Sequence, residues 1–540
     1  MFSHSRCAIL SGKHSAPRRA EASRRLLMAS EGAGAVGPPL GEMDLDEFRR
    51  AGHRIVDWIA DYRAHPECYP VLSRCRPGEV RAQLPRAAPS EAESIECILN
   101  DFERLILPGI THWNHPAFFA YFAITGSGPG ILGELLASAL NVNAMLWRTS
   151  PAATELEECV LEWLREMLGL PAHFKGVIAD CASTASLLAI AAARDAVAPE
   201  IRARGMAGCD GMPKLRLYTS EQAHSSIEKG AMILGIGQEN VRKIETDARF
   251  RMMPSALVQA IRGDIADGWR PFCVVATVGT TSTTSIDPVA EIAPICRDLG
   301  LWLHVDGAYG GMAAIVPEMR HVLDGCQGAD SIVINPHKWL FTPLDCSALY
   351  VRDPDALRRS FSLMPEYLKS REKDVTNYMD WGTWLGRRFR ALKLWMVIRH
   401  FGHEGLAARI RRHIELAQDL MQRIDAEPDI EALAPAPFST VCFRFRPSEL
   451  KALSDDARRR QACDEYLDRL NEAVLDAVNA SGEAFLSHTK IRERYAIRMT
   501  IGNIGSDRAE VDRAWRQLRD EASRLDGEMR QEWRSAARSS

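Results

Sequence analysis

Four short segments place polar side chains directly after apolar runs: Cys181-Ala182-Ser183-Thr184, Gly279-Thr280-Thr281, His304-Val305-Asp306-Gly307-Ala308-Tyr309 and Asn335-Pro336-His337-Lys338-Trp339. Taken singly, a Thr or Asp at the end of a strand often does no more than cap the next helix. Taken together, the four offer complementary chemistry. Small residues with free backbone N–H groups at a helix start suit a phosphate, and Ala182 and Ser183, ahead of the Ala-rich stretch 185–193, supply them. Asp306, behind an apolar strand, suits a ring nitrogen that must keep its proton. Lys338, between His337 and Trp339 in an otherwise uncharged run, can lose its own proton by desolvation and act as an amine nucleophile.

A phosphate, a protonated pyridine nitrogen and an aldehyde carbon awaiting an amine describe pyridoxal 5′-phosphate (PLP). The elements that must bring these groups together are legible as short β-rich runs between helical stretches: Gly176–Ala179, Leu215–Thr219, Phe272–Val278, Leu301–Val305, Ser331–Ile334 and Ala348–Val351. That alternation predicts a doubly wound α/β sheet, mostly parallel. Ligands of such sheets sit in the crevice beyond the carboxyl ends of the strands, which is where the four polar segments fall.

Flanking this region, Phe48, Ile55, Val56, Trp58, Ile59 and Tyr62 recur at helical spacing and predict an N-terminal helix, followed by amphipathic helices over 91–107 and Glu155–Leu168. A long helix is expected over Arg387–Phe401. From about Gly405 onward a helix, the strand-like Ser439–Phe445, a helix near Glu465–Ala477 and a strand Tyr495–Ile501 predict a separate α+β domain, with a frayed helical tail after about Arg524. The expected organisation is therefore an extension over 1–42, disordered or an over-long start, a helical arm over 43–125, a large α/β domain over 126–404 and a small domain over 405–540. The basic, Ser-containing residues 1–40 also have a transit-peptide composition, but their Gly/Pro-rich end favours the disordered extension.

Bulk properties exclude several classes. Lys+Arg 67 against Asp+Glu 71 gives a formal charge of −4, with no basic excess for nucleic acid. No apolar run nears the roughly 20 residues of a membrane helix. The thirteen cysteines never form C-x-x-C, which fits a reducing, cytoplasmic setting without disulfides or a zinc site. His112 and His115 lack further ligands at metal spacing, so no metal is expected.

Asn335–Trp339 and His304–Tyr309, with Gln222-Ala223-His224-Ser225-Ser226, Leu385-Gly386-Arg387-Arg388-Phe389-Arg390, His115–Phe122 and Ser150–Glu157, resemble the group II PLP-dependent decarboxylases, most of all the aromatic-L-amino-acid decarboxylases, over roughly residues 43–520. The resemblance implies an aminotransferase-like large domain (fold type I) with PLP as cofactor. It implies that Lys338 attaches the cofactor, Asp306 pairs with the ring nitrogen, His224 stacks on the ring, Thr281 and Ala308 flank it, and Ala182, Ser183, Asn335 and His337 surround the phosphate. An isolated His224 would more simply be a satisfied core histidine; the neighbouring motifs favour stacking.

The same resemblance implies decarboxylation of an aromatic L-amino acid to its amine, in a homodimer with sites at the interface. Tyr378, after the polar segment Lys369–Asp374, is expected on a flexible lid as the acid that returns a proton to Cα, its plain alternative being a surface loop tyrosine. A phenylalanine there would mark an oxidative aldehyde synthase, so Tyr378 argues for simple decarboxylation. Asn143, Met145 and the stretch Ile124–Ser127 depart from the animal enzymes' pattern, which leaves a non-aromatic substrate open. A catalytically silent PLP-fold binding protein is the remaining, weaker alternative.

Overall fold

The computed structural model describes residues 41–207, 211–363, 372, 374–451 and 457–539. The extension 1–42 and the segment Lys369–Asp374 lie wholly or largely outside these. The described chain divides into two compact units, one carrying the helix Leu45–Ala64 with Ser94–Glu96, the other His65–Glu93 with the chain from Cys97 onward.

In the first unit, Asp44 caps the helix by accepting the backbone N–H groups of Asp46 and Glu47, both at 3.0 Å. Trp58 and Tyr62, one turn apart, stack at 5.2 Å. Leu45, Phe48, Ile55 and Val56 are exposed, and no residue of this helix is buried.

The second unit is built on a seven-stranded sheet. Its strands are β1 (Lys175–Ala179), β2 (Leu215–Ser220), β3 (Val241–Ile244), β4 (Arg270–Thr277), β5 (Trp302–Asp306), β6 (Ser331–Ile334) and β7 (Ser347–Val351), in the order β1-β7-β6-β5-β4-β2-β3. β3 to β6 and β2 pair in parallel, whereas β7 runs antiparallel to both its neighbours β6 and β1. All six expected strands are present. β3 was not expected from sequence, because Val241-Arg-Lys-Ile244 carries two charges at an edge position and lacks an apolar run.

Period-2 alternation explains why both faces are covered. Val177 and Ala179 join Leu188 and Ala189 of the helix Ala182–Val197 on one face, while Ile178 joins the core on the other; Val333 and its neighbours Ile332 and Ile334 divide likewise. Each fully buried Leu or Ile here contributes about 1.5–3 kcal/mol. The helix expected over Glu155–Leu168 spans Pro151–Met167, starting a turn earlier because the Ser150 side chain caps it by accepting from Ala153 N.

A four-stranded antiparallel sheet follows, in the order β10 (Ser487–Ile491), β11 (Arg494–Thr500), β9 (Thr440–Phe445), β8 (Ile430–Ala432). The helices Ala457–Ser481 and Arg508–Ser539 accompany it, the latter continuing through the tail expected to fray. The expected boundary at 404/405 falls within the helical run Arg390–Ala426, which Gly402 interrupts at φ 66°.

Candidate active site

The crest of the sheet is made by the carboxyl ends of β1, β4, β5 and β6. Parallel pairing aligns Thr277 of β4 with Asp306 of β5, and Asp306 with Val333 of β6, so the segments that follow open on one side. Gly279 (φ 91°) permits the closest approach: a Cβ there would lie 2.9 Å from Gly310 N and Cα. That contact holds the loop bearing Thr281 against the loop bearing Ala308, and only glycine fits both the backbone angle and the space.

Asp306 is 6% exposed. Its Oδ1 accepts the Ala308 N–H at 3.1 Å, which leaves Oδ2 as the free carboxylate oxygen. His304, fully buried beneath it, is held between Ser331 Oγ at 2.8 Å and Ser186 Oγ at 3.0 Å. Burial lowers the pKa of His304 to about 4, so this imidazole is neutral and does not compete for the carboxylate's charge.

Lys338 begins where β6 ends, its backbone N–H donating to Asn335 O at 3.0 Å. Its side chain is partly exposed, with Nζ 5.1 Å from the centre of the Phe122 ring. Burial within the crevice lowers its pKa, Asp306 opposes that, and the Arg498 guanidinium adds to it. The amine thus loses its proton more readily than a solvated lysine, as a nucleophile must. His224 is near enough to feel both Asp306 and Lys338. Its Nδ1 accepts the Ser226 backbone N–H at 3.1 Å and stands 2.8 Å from Ser226 Oγ, so Nε2 carries the proton of the neutral ring. Its pKa is depressed, first by burial and then by Lys338 and Lys229.

The residues expected around a phosphate present donors. Asn335 Oδ1 is occupied by the Ser347 hydroxyl, leaving its amide N–H₂. His337 Nδ1 accepts Cys346 N–H at 3.0 Å, leaving Nε2–H, and burial brings its pKa to about 3. No side chain caps the helix Ala182–Val197, so the N–H groups of Ala182 and Ser183 remain directed outward from its positive end. A free carboxylate oxygen, a desolvated amine and this ring of N–H donors suit the three polar parts of PLP.

Tyr378 is not among the residues brought together. It is 2% exposed in the 3₁₀ turn Tyr378–Trp381, packed with Val177, Leu349 and Trp381, with the Arg387 guanidinium 4.6 Å from its ring centre. Its hydroxyl faces Glu157, Glu158 and Glu162, beside Lys175 and Gly176 where β1 begins, the opposite edge of the sheet from Lys338. The expectation that it delivers a proton at the site is therefore corrected. A buried apolar ring lodged over a buried guanidinium belongs to the core, which a loop reading of Asn377–Trp381 did not show.

Other residues of the site escaped the sequence reading. Phe122 stacks on Tyr309 at 3.8 Å and 11°, and Tyr309 on Trp339 at 4.6 Å and 12°, a three-ring column beside Lys338. Arg498, 4% exposed on β11, places its guanidinium 4.8 Å from the centre of the Phe122 ring and donates to Ala120 O at 2.9 Å. Nothing local marks Arg498 as special, since alternating Arg is ordinary in a strand. Among the described residues no group of His, Cys, Asp and Glu is arranged to hold a metal ion, and no helix is long and apolar enough to cross a membrane.

Comparison with known proteins points to one family. The profile of the "Pyridoxal-dependent decarboxylase conserved domain" matches residues 77–446. Tyrosine decarboxylase 4 of Petroselinum crispum is 43% identical over 90% of this chain and 95% of its own length. Phenylacetaldehyde synthase of Arabidopsis thaliana is 41% identical over 91% of this chain and 98% of its own. A crystal structure of Oryza sativa TDC with PLP and tryptamine superposes with a TM-score of 0.84 at 36% identity, covering 91% of this chain and 100% of that one.

Proposed function

This chain belongs to the pyridoxal-dependent decarboxylases, and from that membership we propose that it removes the α-carboxylate of an aromatic L-amino acid, releasing carbon dioxide and the arylalkylamine. One observation carries the reading: a desolvated Lys338 amine shares a crevice with the free oxygen of Asp306 and the N–H donors of Asn335 and His337. PLP, when bound, supplies a conjugated ring that accepts the electron pair left as the carboxylate departs.

The chain's own residues do the rest. Lys338, whose proton burial loosens, offers its amine as the point of covalent attachment. Asp306 Oδ2 holds a proton on the ring nitrogen, and Ala308 N–H, bound to Oδ1, keeps the carboxylate from rotating away. His224, its tautomer fixed by Ser226, keeps Nε2–H free of that contact and serves as the ring-stacking residue. Thr281 and Ala308 flank the ring, and Ala182, Ser183, Asn335 and His337 hold the phosphate. Phe122, backed by Tyr309 and Trp339, walls the crevice with apolar surface, which excludes water and favours an aromatic side chain in the substrate.

A second reading, oxidative release of an aldehyde with ammonia and peroxide, is favoured by the 41% identity to a phenylacetaldehyde synthase. With Tyr378 away from the site, that residue no longer discriminates between the two. We further propose a cytoplasmic homodimer. The exposed apolar residues of Leu45–Ala64, and separately Leu132, Leu135, Leu136 and Leu140 on the helix Gly128–Leu140, are 39% to 75% exposed and support a partner surface.

The test is carbon dioxide release from tyrosine, DOPA, tryptophan, phenylalanine and glutamate, with peroxide measured in parallel, for the PLP-loaded protein and Lys338→Ala. Turnover of aromatic substrates that vanishes in the variant is expected. Preference for glutamate would overturn the substrate class, and full activity of Lys338→Ala would overturn the site. Sedimentation of the same holoenzyme as a fully active monomer would refute the dimer.

A further inference from the structure

A cavity of about 580 Å³ opens where β1 begins, across the sheet from Lys338. One wall is the helix Pro151–Met167, whose Glu155, Glu158 and Glu162 stand at i, i+3 and i+7 on a single face with Cys159 among them. The floor is aromatic: Phe174, Tyr350, Tyr378 and Trp381, all 5% exposed or less. Each carboxylate has a neighbour, Glu155 accepting from Trp147 Nε1 at 2.8 Å, Glu158 from Thr376 Oγ1 and Glu162 from Lys175 Nζ at 3.5 Å. Of the two cations on the cavity, Arg358 is already paired with Asp355.

A second feature points to a ligand. The Tyr378 side chain is 98% removed from solvent, lines the cavity and has no hydrogen-bond partner for its hydroxyl among the described residues, although its ring is fixed by Arg387 on one face and Trp381 at its edge. A phenol so enclosed usually finds a partner. The three carboxylates are not grouped as metal ligands. Carboxylates along a rim above an aromatic floor, with a hydroxyl able to accept a hydrogen bond, match instead an organic ammonium carrying an apolar ring.

We propose that this cavity binds a protonated arylalkylamine, the product class of the proposed reaction, as a second site distinct from the catalytic crevice. The amine identity rests on that functional reading; the cationic aromatic chemistry rests on the cavity. Occupancy can be felt at the crest, because Arg387 beneath Tyr378 donates to Ile178 O at 3.0 Å while its partner Glu157 accepts Ile178 N–H at 2.8 Å, four residues before Ala182. Product inhibition should then contain a component that extra substrate does not relieve.

Cys159 lines the cavity and is partly exposed, so its alkylation by iodoacetamide in the full-length holoenzyme, read by peptide mass spectrometry, reports occupancy without any need for turnover. Saturating tyramine is expected to slow Cys159 labelling about tenfold or more, and 4-ethylphenol, the same ring without the ammonium, to have little effect. Glu158→Gln should raise the half-protecting tyramine concentration about tenfold, the scale of one charge-assisted hydrogen bond. Tyr378→Phe, which leaves every carboxylate in place, should raise it several-fold and serves if the Gln variant folds poorly. Labelling of Cys159 that ignores tyramine at all concentrations, or protection equal for 4-ethylphenol, overturns the site. If tyramine protects Cys159 but no aromatic amino acid is decarboxylated, the functional reading falls while the cation site stands.

Discussion

Asp306 Oδ1 accepts the N–H of Ala308 two residues on, at 3.1 Å, so that a single carboxylate oxygen is left facing the crevice. The carboxylate's orientation is fixed by its own backbone, and in the proposed function its charge keeps a ring nitrogen protonated. Asp306→Asn preserves the shape and the Ala308 bond but cannot hold that proton. Turnover is expected to fall by about 10²-fold or more, with PLP affinity changed far less because the phosphate donors are untouched. Steady-state rates alongside a PLP titration check this, and wild-type turnover would remove Asp306 from its role.

His337 makes a parallel case at the proposed phosphate end of the crevice. Its Nδ1 is taken by Cys346 N–H, and burial holds the ring neutral with a pKa of about 3, so Nε2 is a donor at every working pH. His337→Phe keeps a flat ring and loses that donor, and it also leaves Cys346 N–H without its acceptor. PLP affinity should drop by about tenfold to a hundredfold, measured by titrating apoenzyme and following cofactor absorbance. An unchanged affinity would place the phosphate elsewhere.

The sequence made the crest legible because its groups are local. Asp306 with Ala308, and Asn335 with His337 and Lys338, each sit within a few residues at a strand end, where a parallel sheet must converge them. What stayed hidden depends on long-range packing. Arg498 reaches Phe122 from β11, which no spacing rule connects to Lys338. β3 pairs only through its neighbour β2 and carries Arg242 and Lys243 outward at an edge. Tyr378 lies 40 residues after Lys338, and only the fold shows that Arg387 draws its ring into the core rather than toward the crevice.

That placement gives a sharp outcome for Tyr378→Phe. The substitution removes a hydroxyl with no hydrogen-bond partner among the described residues and keeps the ring's packing on Arg387, so stability should change by less than about 1 kcal/mol. Because the hydroxyl faces Glu157 and Glu158 at the far edge of the sheet, the product should remain the same as in the wild type, with no new peroxide. Product analysis under air decides the matter. A switch from amine to aldehyde would show that Tyr378 reaches the reacting carbon after all.

Acid should unfold this protein through its buried histidines. His304 and His413 are fully enclosed with pKa values near 4, and His337 near 3, against 6.5 in the unfolded chain. A folded pKa below the unfolded one means that the unfolded chain binds more protons between the two values, so the stability these groups contribute is complete above about pH 6.5 and declines as pH falls toward 4. Each such histidine removes about 1.4 kcal/mol per pH unit within that window. Asp287 acts in the opposite sense: burial raises its pKa to about 6, so in the folded state it takes up a proton that the unfolded chain would not hold until near 3.8, and it offsets roughly one histidine. His115, brought to about 4 chiefly by burial, adds a fourth, and four against one leave a net loss. The urea midpoint should therefore fall steadily from pH 6.5 to 4.5, and His413→Gln, which cannot be protonated, should shallow that slope by about a third to a half even if it lowers stability at pH 7. A midpoint independent of pH across this range would show that these imidazoles take up protons in the folded state as readily as in the unfolded chain.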